Sequence, residues 1–146
     1  MSPETLYHIS AVLLVFYAVS HTFGLLGSHK PEGVPSQVRK SMDEVRFNYM
    51  GRDCTWGGFY LGFGLMVTGY LIFTAILAWE MSSLVKGGSG LGDFFMPHHS
   101  HLRTLAWAFV CIQGVNTYIA ARYFFTAPTV VSGIITLLLT IAAVKI

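Results

Sequence analysis

The chain has 146 residues, of which 53% are hydrophobic and only 11% are charged, and its formal net charge is +2. A soluble domain carries about 25% charged residues, so the composition excludes an ordinary soluble protein, and the length leaves room for one domain. The small net charge, without a basic patch that contains interleaved aromatic residues, excludes nucleic-acid binding.

Four long stretches without charged residues set the fold class. A hydrocarbon core about 30 Å thick is crossed by a helix of ~20 apolar residues, and each stretch is long enough. We therefore predict an all-α polytopic membrane protein, a single integral membrane domain in which four transmembrane helices form a bundle. The predicted helices cover about residues 6–27, 55–79, 103–122 and 127–144.

The charges that flank these helices predict the orientation. Five of the nine Lys and Arg residues lie in the segment 28–54, and Arg122 adds a sixth on the same side of the membrane. Because cytoplasmic segments of membrane proteins carry an excess of Lys and Arg, residues 28–54 are expected in the cytoplasm and both termini outside.

The same cytoplasmic segment contains a predicted amphipathic surface helix between the first two transmembrane helices. Ser36 directly follows Pro35 and is a suitable N-cap for a helix over about residues 37–50. Such a helix lies on the membrane surface or at the mouth of the bundle. Its apolar residues recur at helical spacing: Val38, Met42, Val45 and Tyr49.

Small residues of the second transmembrane helix share one face, and helix one offers a matching set. Such residues let two helix backbones approach closely, so we expect helices one and two to pack through them. The alternative is that these glycines leave space for a flat ligand, walled by neighbouring aromatic residues. The small residues are Gly58, Gly62, Gly69, Ser20, Gly24 and Gly27; the aromatic residues are Trp56, Phe59, Tyr60 and Phe63.

Polar residues inside three of the helices are the main functional signal. They lie at about the same depth in one leaflet, and polar groups in hydrocarbon face the bundle interior or a cavity. Two interpretations stay open, because such residues serve either as hydrogen-bonding glue between helices or as a ligand pocket rimmed by arginine. The candidate ligand-binding residues are Tyr17, His21, Arg52, Trp56, Tyr60, Gln113 and Asn116.

A histidine cluster precedes the third transmembrane helix and is the candidate metal site. Neutral imidazoles bind zinc, copper or nickel, but His98, His99 and His101 lack a recognised ligand spacing, so no metal site is expected. His21 has no histidine partner in the other transmembrane helices, which argues against haem bound between two histidines. The pattern identifies no cofactor.

Two segments of the chain are similar to stretches of small four-pass hypothetical membrane proteins of bacteria. One runs from Arg46-Phe47 through Met50-Gly51 and Trp56 to Phe59-Tyr60-Leu61-Gly62-Phe63-Gly64-Leu65, and the other is Arg122-Tyr123-Phe124-Phe125-Thr126-Ala127-Pro128. The resemblance implies the four-helix fold, location in the bacterial inner membrane and a pairing of Arg46 with the aromatic face of helix two. It implies no reaction, and the chain departs from it in Gly57-Gly58 and in the histidine-rich loop.

Two functions remain open at this point. The first is a binding or accessory subunit that holds a lipid-like or quinone-like apolar ligand or a membrane partner. The second is a small enzyme for an amphipathic substrate, with His21 as acid/base, polarised by Tyr17 or Asn116, and with Arg52 on an anionic head group. The expected partners are membrane lipid and either a second copy of the chain or a larger membrane complex, and not nucleic acid.

The predicted orientation is testable with a membrane-impermeant thiol reagent. In a Cys111→Ser background, Cys54 is expected to react only after permeabilisation of right-side-out membrane vesicles, because it lies in the predicted cytoplasmic segment. A variant with Cys54→Ser and Ser89→Cys carries its thiol in the predicted outer loop and is expected to react without permeabilisation. The reverse labelling pattern would contradict the orientation.

Overall fold

The computed structural model describes residues 1–27, 32–87 and 99–146, with the backbone alone for residues 99 and 100. Of the described residues, 84% are helical. Its described elements are, in chain order, α1 (Pro3–Leu26), α2 (Val34–Glu44), β1 (Arg46–Tyr49), β2 (Arg52–Thr55), α3 (Trp56–Gly87), α4 (His99–Tyr123) and α5 (Thr126–Val144).

Four of the described helices, α1, α3, α4 and α5, are long and apolar enough to cross a membrane. They contain 24, 32, 25 and 19 residues, against the ~20 that a bilayer requires. Each satisfies its backbone hydrogen bonds internally, as hydrocarbon demands. The protein is therefore an integral membrane protein, and the prediction of four spanning helices is confirmed.

The chain divides into two compact units, each described by itself below. The core unit consists of Met1–Tyr17 and Leu71–Ile146, and the hairpin unit consists of Ala18–Tyr70. The helices α1 and α3 each contribute one segment to each unit.

Alanine side chains line the helix contacts of the core unit. Small side chains allow close approach of helices whose surroundings offer no hydrophobic driving force. The largest fully buried apolar side chains pack between them: Tyr7, Leu14, Met81, Ile135 and Leu139. The buried alanines of this unit are Ala11, Ala75, Ala78, Ala106, Ala120, Ala142 and Ala143.

The helix predicted over residues 37–50 has different ends in the structure. Gly33, with φ of 75°, is the N-cap of α2, and its carbonyl accepts hydrogen bonds from the N–H groups of Ser36 and Gln37. Pro35 lies in the first turn, where its missing N–H costs nothing. Ser36 is thus inside the helix, and its prediction as the N-cap was wrong.

A β-hairpin replaces the predicted C-terminal part of that helix. Val45 is extended, and β1 and β2 pair antiparallel with Tyr49 opposite Arg52. The two-residue loop Met50-Gly51 has positive φ at both positions, 52° and 85°, which matches the right-handed twist of paired strands. The Asn48 side-chain oxygen accepts the Gly51 N–H at 3.2 Å and closes the turn.

The small-residue face predicted to join helices one and two does not form their contact. Gly24, Gly62 and Gly69 are exposed, and a Cβ added at any of them would meet no described atom within 4 Å. The close approach occurs at Gly64, where an added Cβ would lie 2.5 Å from the Leu25 side chain. In the hairpin unit, α1 and α3 therefore approach each other at Leu25 and Gly64.

The helix α3 begins at Trp56 and extends eight residues past the predicted end at residue 79. The Thr55 hydroxyl accepts the Gly58 N–H at 3.0 Å and caps the first turn. With 32 residues the helix is about 48 Å long, longer than a hydrocarbon core. The extra C-terminal turns carry Ser82 and Lys86, which bond to α1 in the core unit.

The hairpin turn provides a test of its own geometry. Gly51→Ala forces a side chain into positive φ, which costs about 1–2 kcal/mol, so the amides of residues 46–55 should exchange with solvent deuterium faster in detergent micelles. Gly62→Ala introduces the same methyl group at an open helical position and should leave that exchange unchanged. Equal exchange in both variants would contradict the turn.

Candidate functional site

Five aromatic side chains of the hairpin unit form a connected set, named here the aromatic cluster: Phe47, Tyr49, Trp56, Phe59 and Phe63. Phe47 and Tyr49 share one face of β1, because side chains alternate along a strand. Phe47 lies 5.0 Å from Trp56 and 6.0 Å from Phe59, between ring centroids, and Tyr49 meets Phe59 edge-on at 6.0 Å. Phe59 stacks on Phe63 one turn further along α3, at 6.4 Å.

The aromatic cluster is open on its outer side. The side chains of Tyr49, Trp56 and Phe63 are 57%, 58% and 65% exposed, respectively. Aromatic rings that contact one another usually bury themselves in a core, and a contiguous exposed apolar patch marks a surface that contacts a ligand, a partner or a membrane. The cluster is therefore a contact surface rather than a core.

Arg52 lies on the hairpin face that carries the aromatic cluster. It is the cross-strand partner of Tyr49, and directly opposed residues of two strands point to the same side of the sheet. Arg46 is opposite Thr55 and belongs to the other face. The resemblance implies that Arg46 pairs with the aromatic face. The strand register instead places Arg52 on that face.

Tyr60 turns towards α2 instead of joining the aromatic cluster. The Arg39 guanidinium lies 5.4 Å from its ring centroid and 3.3 Å from the Asp43 carboxylate. Gly57 is buried against the Asp43 side chain, which leaves no room for a Cβ there. This places a carboxylate at the N-terminal turn of α3, where the helix dipole favours negative charge, and fixes α2 against α3.

His21 is bonded to the backbone of α3 within the hairpin unit. Its Nε2–H donates to the Gly64 carbonyl at 3.1 Å, and the neighbouring hydroxyls of Thr22 and Thr68 bond at 3.0 Å. Since a carbonyl only accepts, Nε2 carries the proton and the ring is held in one tautomer. The bond gives His21 a role in joining two helices.

Gln113 anchors a polar network between α4 and α5 in the core unit. Its amide N–H donates to the Ser132 hydroxyl at 3.3 Å, and the Thr117 hydroxyl lies 2.8 Å from both Ser132 and Thr136 hydroxyls. The Thr136 hydroxyl donates back to the Ser132 carbonyl at 2.9 Å. The amide oxygen of Gln113 is buried and has no hydrogen-bond partner among the described residues.

The residues expected to share one pocket belong to different units. His21, Arg52, Trp56 and Tyr60 are in the hairpin unit, whereas Tyr17, Gln113 and Asn116 are in the core unit. The two polar residues with the clearest bonds, His21 and Gln113, each bond to a neighbouring helix within their own unit. This pattern fits the interpretation as hydrogen-bonding glue between helices.

The metal prediction concerns a part of the chain that is only partly described. His98 lies outside the described residues, His99 is described by its backbone alone, and His101 is exposed at the start of α4. Among the side chains that are described, no group of three His, Cys, Asp or Glu residues converges to hold a metal ion.

Sequence reasoning found the α3 part of the aromatic cluster and missed the hairpin part. Phe47 and Tyr49 fall within the surface helix predicted over residues 37–50, although their alternation with polar residues and the following Met50-Gly51 are typical of a strand and a turn.

No protein family, no curated protein and no solved structure matches the chain. The resemblance to small bacterial membrane proteins thus stays a prediction.

The contact at Gly64 is testable against an open glycine two residues away. Gly64→Leu should collide with Leu25 and displace His21, so we expect its free energy of unfolding in detergent to fall by about 1–3 kcal/mol. Gly62→Leu adds the same side chain at an exposed position and should change that free energy by less than about 0.5 kcal/mol. A larger loss of unfolding free energy in Gly62→Leu than in Gly64→Leu would contradict the contact at Gly64 and would support helix packing through Gly62.

Proposed function

We propose that this chain is a small membrane-embedded binding subunit that holds an anionic amphiphile, a lipid-like molecule, on the aromatic cluster of the hairpin unit. The apolar part of the ligand packs on the exposed rings, and its acidic head group bonds to Arg52. The function is binding rather than catalysis, and the protein serves as an accessory subunit in its membrane.

The observation that carries this proposal is the position of Arg52 beside open aromatic rings. A guanidinium binds phosphate or carboxylate through paired N–H groups, and aromatic rings are enriched where apolar and aqueous regions of a membrane meet. Side by side, the two groups match the two ends of an amphiphile.

The ion pairs of the hairpin unit support an anionic head group for the proposed ligand, because they leave two arginines without a carboxylate partner among the described residues. Along α2, Arg39 pairs with Asp43, and Lys40 with Glu44 at 3.8 Å. Among the residues that the structure describes, Arg46 and Arg52 form no ion pair, and both are exposed. Of the described cations in this unit, these two remain available to an acidic ligand, and the anionic cytoplasmic leaflet would attract cations in the proposed orientation.

The proposal includes the predicted arrangement in the membrane. The four spanning helices form a bundle, residues 28–54 face the cytoplasm of a bacterial inner membrane, and α2 lies on the membrane surface. No residue of α2 is buried, and its Val34 and Val38 are 70% and 54% exposed, which suits a helix that lays apolar side chains into the interface.

The enzyme hypothesis receives no specific support. An acid/base histidine needs a ring nitrogen within reach of the substrate, and since His21 donates its Nε2 proton to the Gly64 carbonyl, only Nδ1 would be left for this role. The hypothesis stays a prediction, and the binding function explains more of the observed contacts.

Native mass spectrometry with defined lipids tests the binding function. The detergent-solubilised protein should retain phosphatidylglycerol more strongly than phosphatidylcholine, and Arg52→Gln should weaken phosphatidylglycerol retention about tenfold, the effect of one lost charge-assisted hydrogen bond. Arg103→Gln removes an exposed arginine of α4 and is the matched control. No preference between the two lipids, or equal losses in both variants, would overturn the proposal and leave the cluster as an interfacial anchor.

A further inference from the structure

The β-hairpin leaves the outer edge of β1 without a strand partner. Tyr49 and Arg52 flank the two-residue turn, so they exchange both of their backbone hydrogen bonds. Bonded and non-bonded pairs alternate along an antiparallel ladder, and Phe47 therefore bonds to β2 as well. The N–H and C=O groups of Arg46 and Asn48 point away from β2. Both residues are exposed, and among the described residues no backbone hydrogen bond links them to a segment outside the hairpin.

The edge of β2 is more obstructed than that of β1. By the same alternation its outward backbone groups belong to Asp53 and Thr55. The helix α2 packs against β2, and Thr55 leads directly into α3, whose first turn its hydroxyl caps at 3.0 Å. Since an open strand edge pairs readily with a strand of another chain, β1 is the edge at which such pairing can occur.

The outward groups of β1 are complementary to those of a second β1 strand in one antiparallel register. With Phe47 opposite Phe47 of a second copy, Arg46 of each copy lies opposite Asn48 of the other. Both of these become bonded pairs, and each bonded pair exchanges two N–H···O hydrogen bonds. Every outward N–H and C=O group of Arg46 and Asn48 then has a partner.

The two neighbouring symmetric registers fit less well. A register centred on Asn48 bonds only the Asn48 groups to each other and places Arg46 opposite the turn residue Met50. A register centred on Arg46 places two guanidinium groups directly opposite each other, and like charges in that position are destabilising. The register centred on Phe47 instead brings two aromatic rings together, which is a favourable cross-strand pair.

We propose that β1 pairs antiparallel with β1 of a second copy of the chain, in the register that places Phe47 opposite Phe47. The two hairpins then form a four-stranded sheet, and the chain is a homodimer in its membrane. The interface uses the outward backbone groups of β1 and does not involve Arg52. It is therefore independent of the proposed lipid ligand.

The two faces of the hairpin make this dimer compatible with a membrane. Phe47 and Tyr49 contact Phe59 of α3, a helix long and apolar enough to span the bilayer, whereas Arg46 and Asn48 belong to the opposite face. With its aromatic face towards the hydrocarbon, the sheet lies along the membrane surface. Edge-to-edge strands are related by a two-fold axis perpendicular to their sheet. That axis is then perpendicular to the membrane, as required for two copies inserted in the same direction.

Disulfide cross-linking in membranes that contain the full chain tests the register. In a Cys54→Ser, Cys111→Ser background, Phe47→Cys should form a dimer on oxidation with copper phenanthroline. Its two Cα atoms would lie about 4.5 Å apart, within the range that a disulfide spans. Asn48→Cys is the matched control, because in this register its two Cα atoms are about 8 Å apart, from the spacing of strands and the rise per residue, which is too far for a disulfide.

The cross-linking pattern decides between the proposal and its alternatives. A dimer of Phe47→Cys without a dimer of Asn48→Cys would support it. Cross-linking of Asn48→Cys alone, equal cross-linking of both variants, or no cross-linking of either would overturn it.

A second pair of variants keeps the aromatic cluster intact. In the same background, chains with Arg46→Cys and chains with Asn48→Cys carry tags of different size and are expressed together. Oxidation should join the two kinds of chain, because the paired Cα atoms would lie about 5.5 Å apart. Dimers of one kind should be minor, and if they were as abundant as the mixed dimer, random collision would explain the products and the proposal would fail.

Proline substitution tests the hydrogen bonds of the interface. Arg46→Pro removes an outward N–H but no bond between β1 and β2. By symmetry the dimer loses two hydrogen bonds, so its dissociation constant in detergent, measured by native mass spectrometry, should rise about tenfold or more. Asp53→Pro removes an outward N–H of β2 and should leave the constant unchanged. A weaker dimer in Asp53→Pro alone, or no dimer of the unmodified chain, would overturn the proposal.

Discussion

The hydrocarbon solvent is the constraint on which the rest of this structure depends. In a bilayer, backbone polar groups have no water to bond, so the chain must satisfy them within helices. The side-chain hydroxyls inside the spans follow the same rule: those of Ser10, Thr22, Thr74 and Thr140 each donate to a carbonyl of their own helix. Only a few polar side chains remain available to join one helix to another.

Those few side chains hold helices in register. His21 bonds to the α3 backbone, and Gln113 leads a chain of hydroxyls through Ser132, Thr117 and Thr136. Interhelical bonds in membranes contribute about 0.6 to 2 kcal/mol each, so a shared network orients helices more than it stabilises them. The exposed side chains of the aromatic cluster and Arg52 take no part in these interhelical bonds, and they form the surface on which we propose that a ligand binds.

The proposed ligand surface follows from what the hairpin leaves exposed. Among the described residues Arg52 forms no ion pair, and it shares a hairpin face with Tyr49 of the aromatic cluster. A guanidinium binds acidic groups, and aromatic rings suit the boundary between the apolar and polar parts of a membrane. This combination is the basis on which we propose an anionic amphiphile as the ligand.

The sequence by itself determined the four spanning helices, because uncharged stretches of this length can satisfy their backbone only as helices in lipid. It also placed Trp56, Phe59 and Phe63 on one helix. It did not determine the hairpin: Val45 and Tyr49 have helical spacing, and only pairing between Arg46–Tyr49 and Arg52–Thr55, closed by Gly51, decided for strands. The tertiary structure also decided that Gly64 rather than Gly62 meets helix α1, because spacing shows which residues share a face but not which face a neighbouring helix covers.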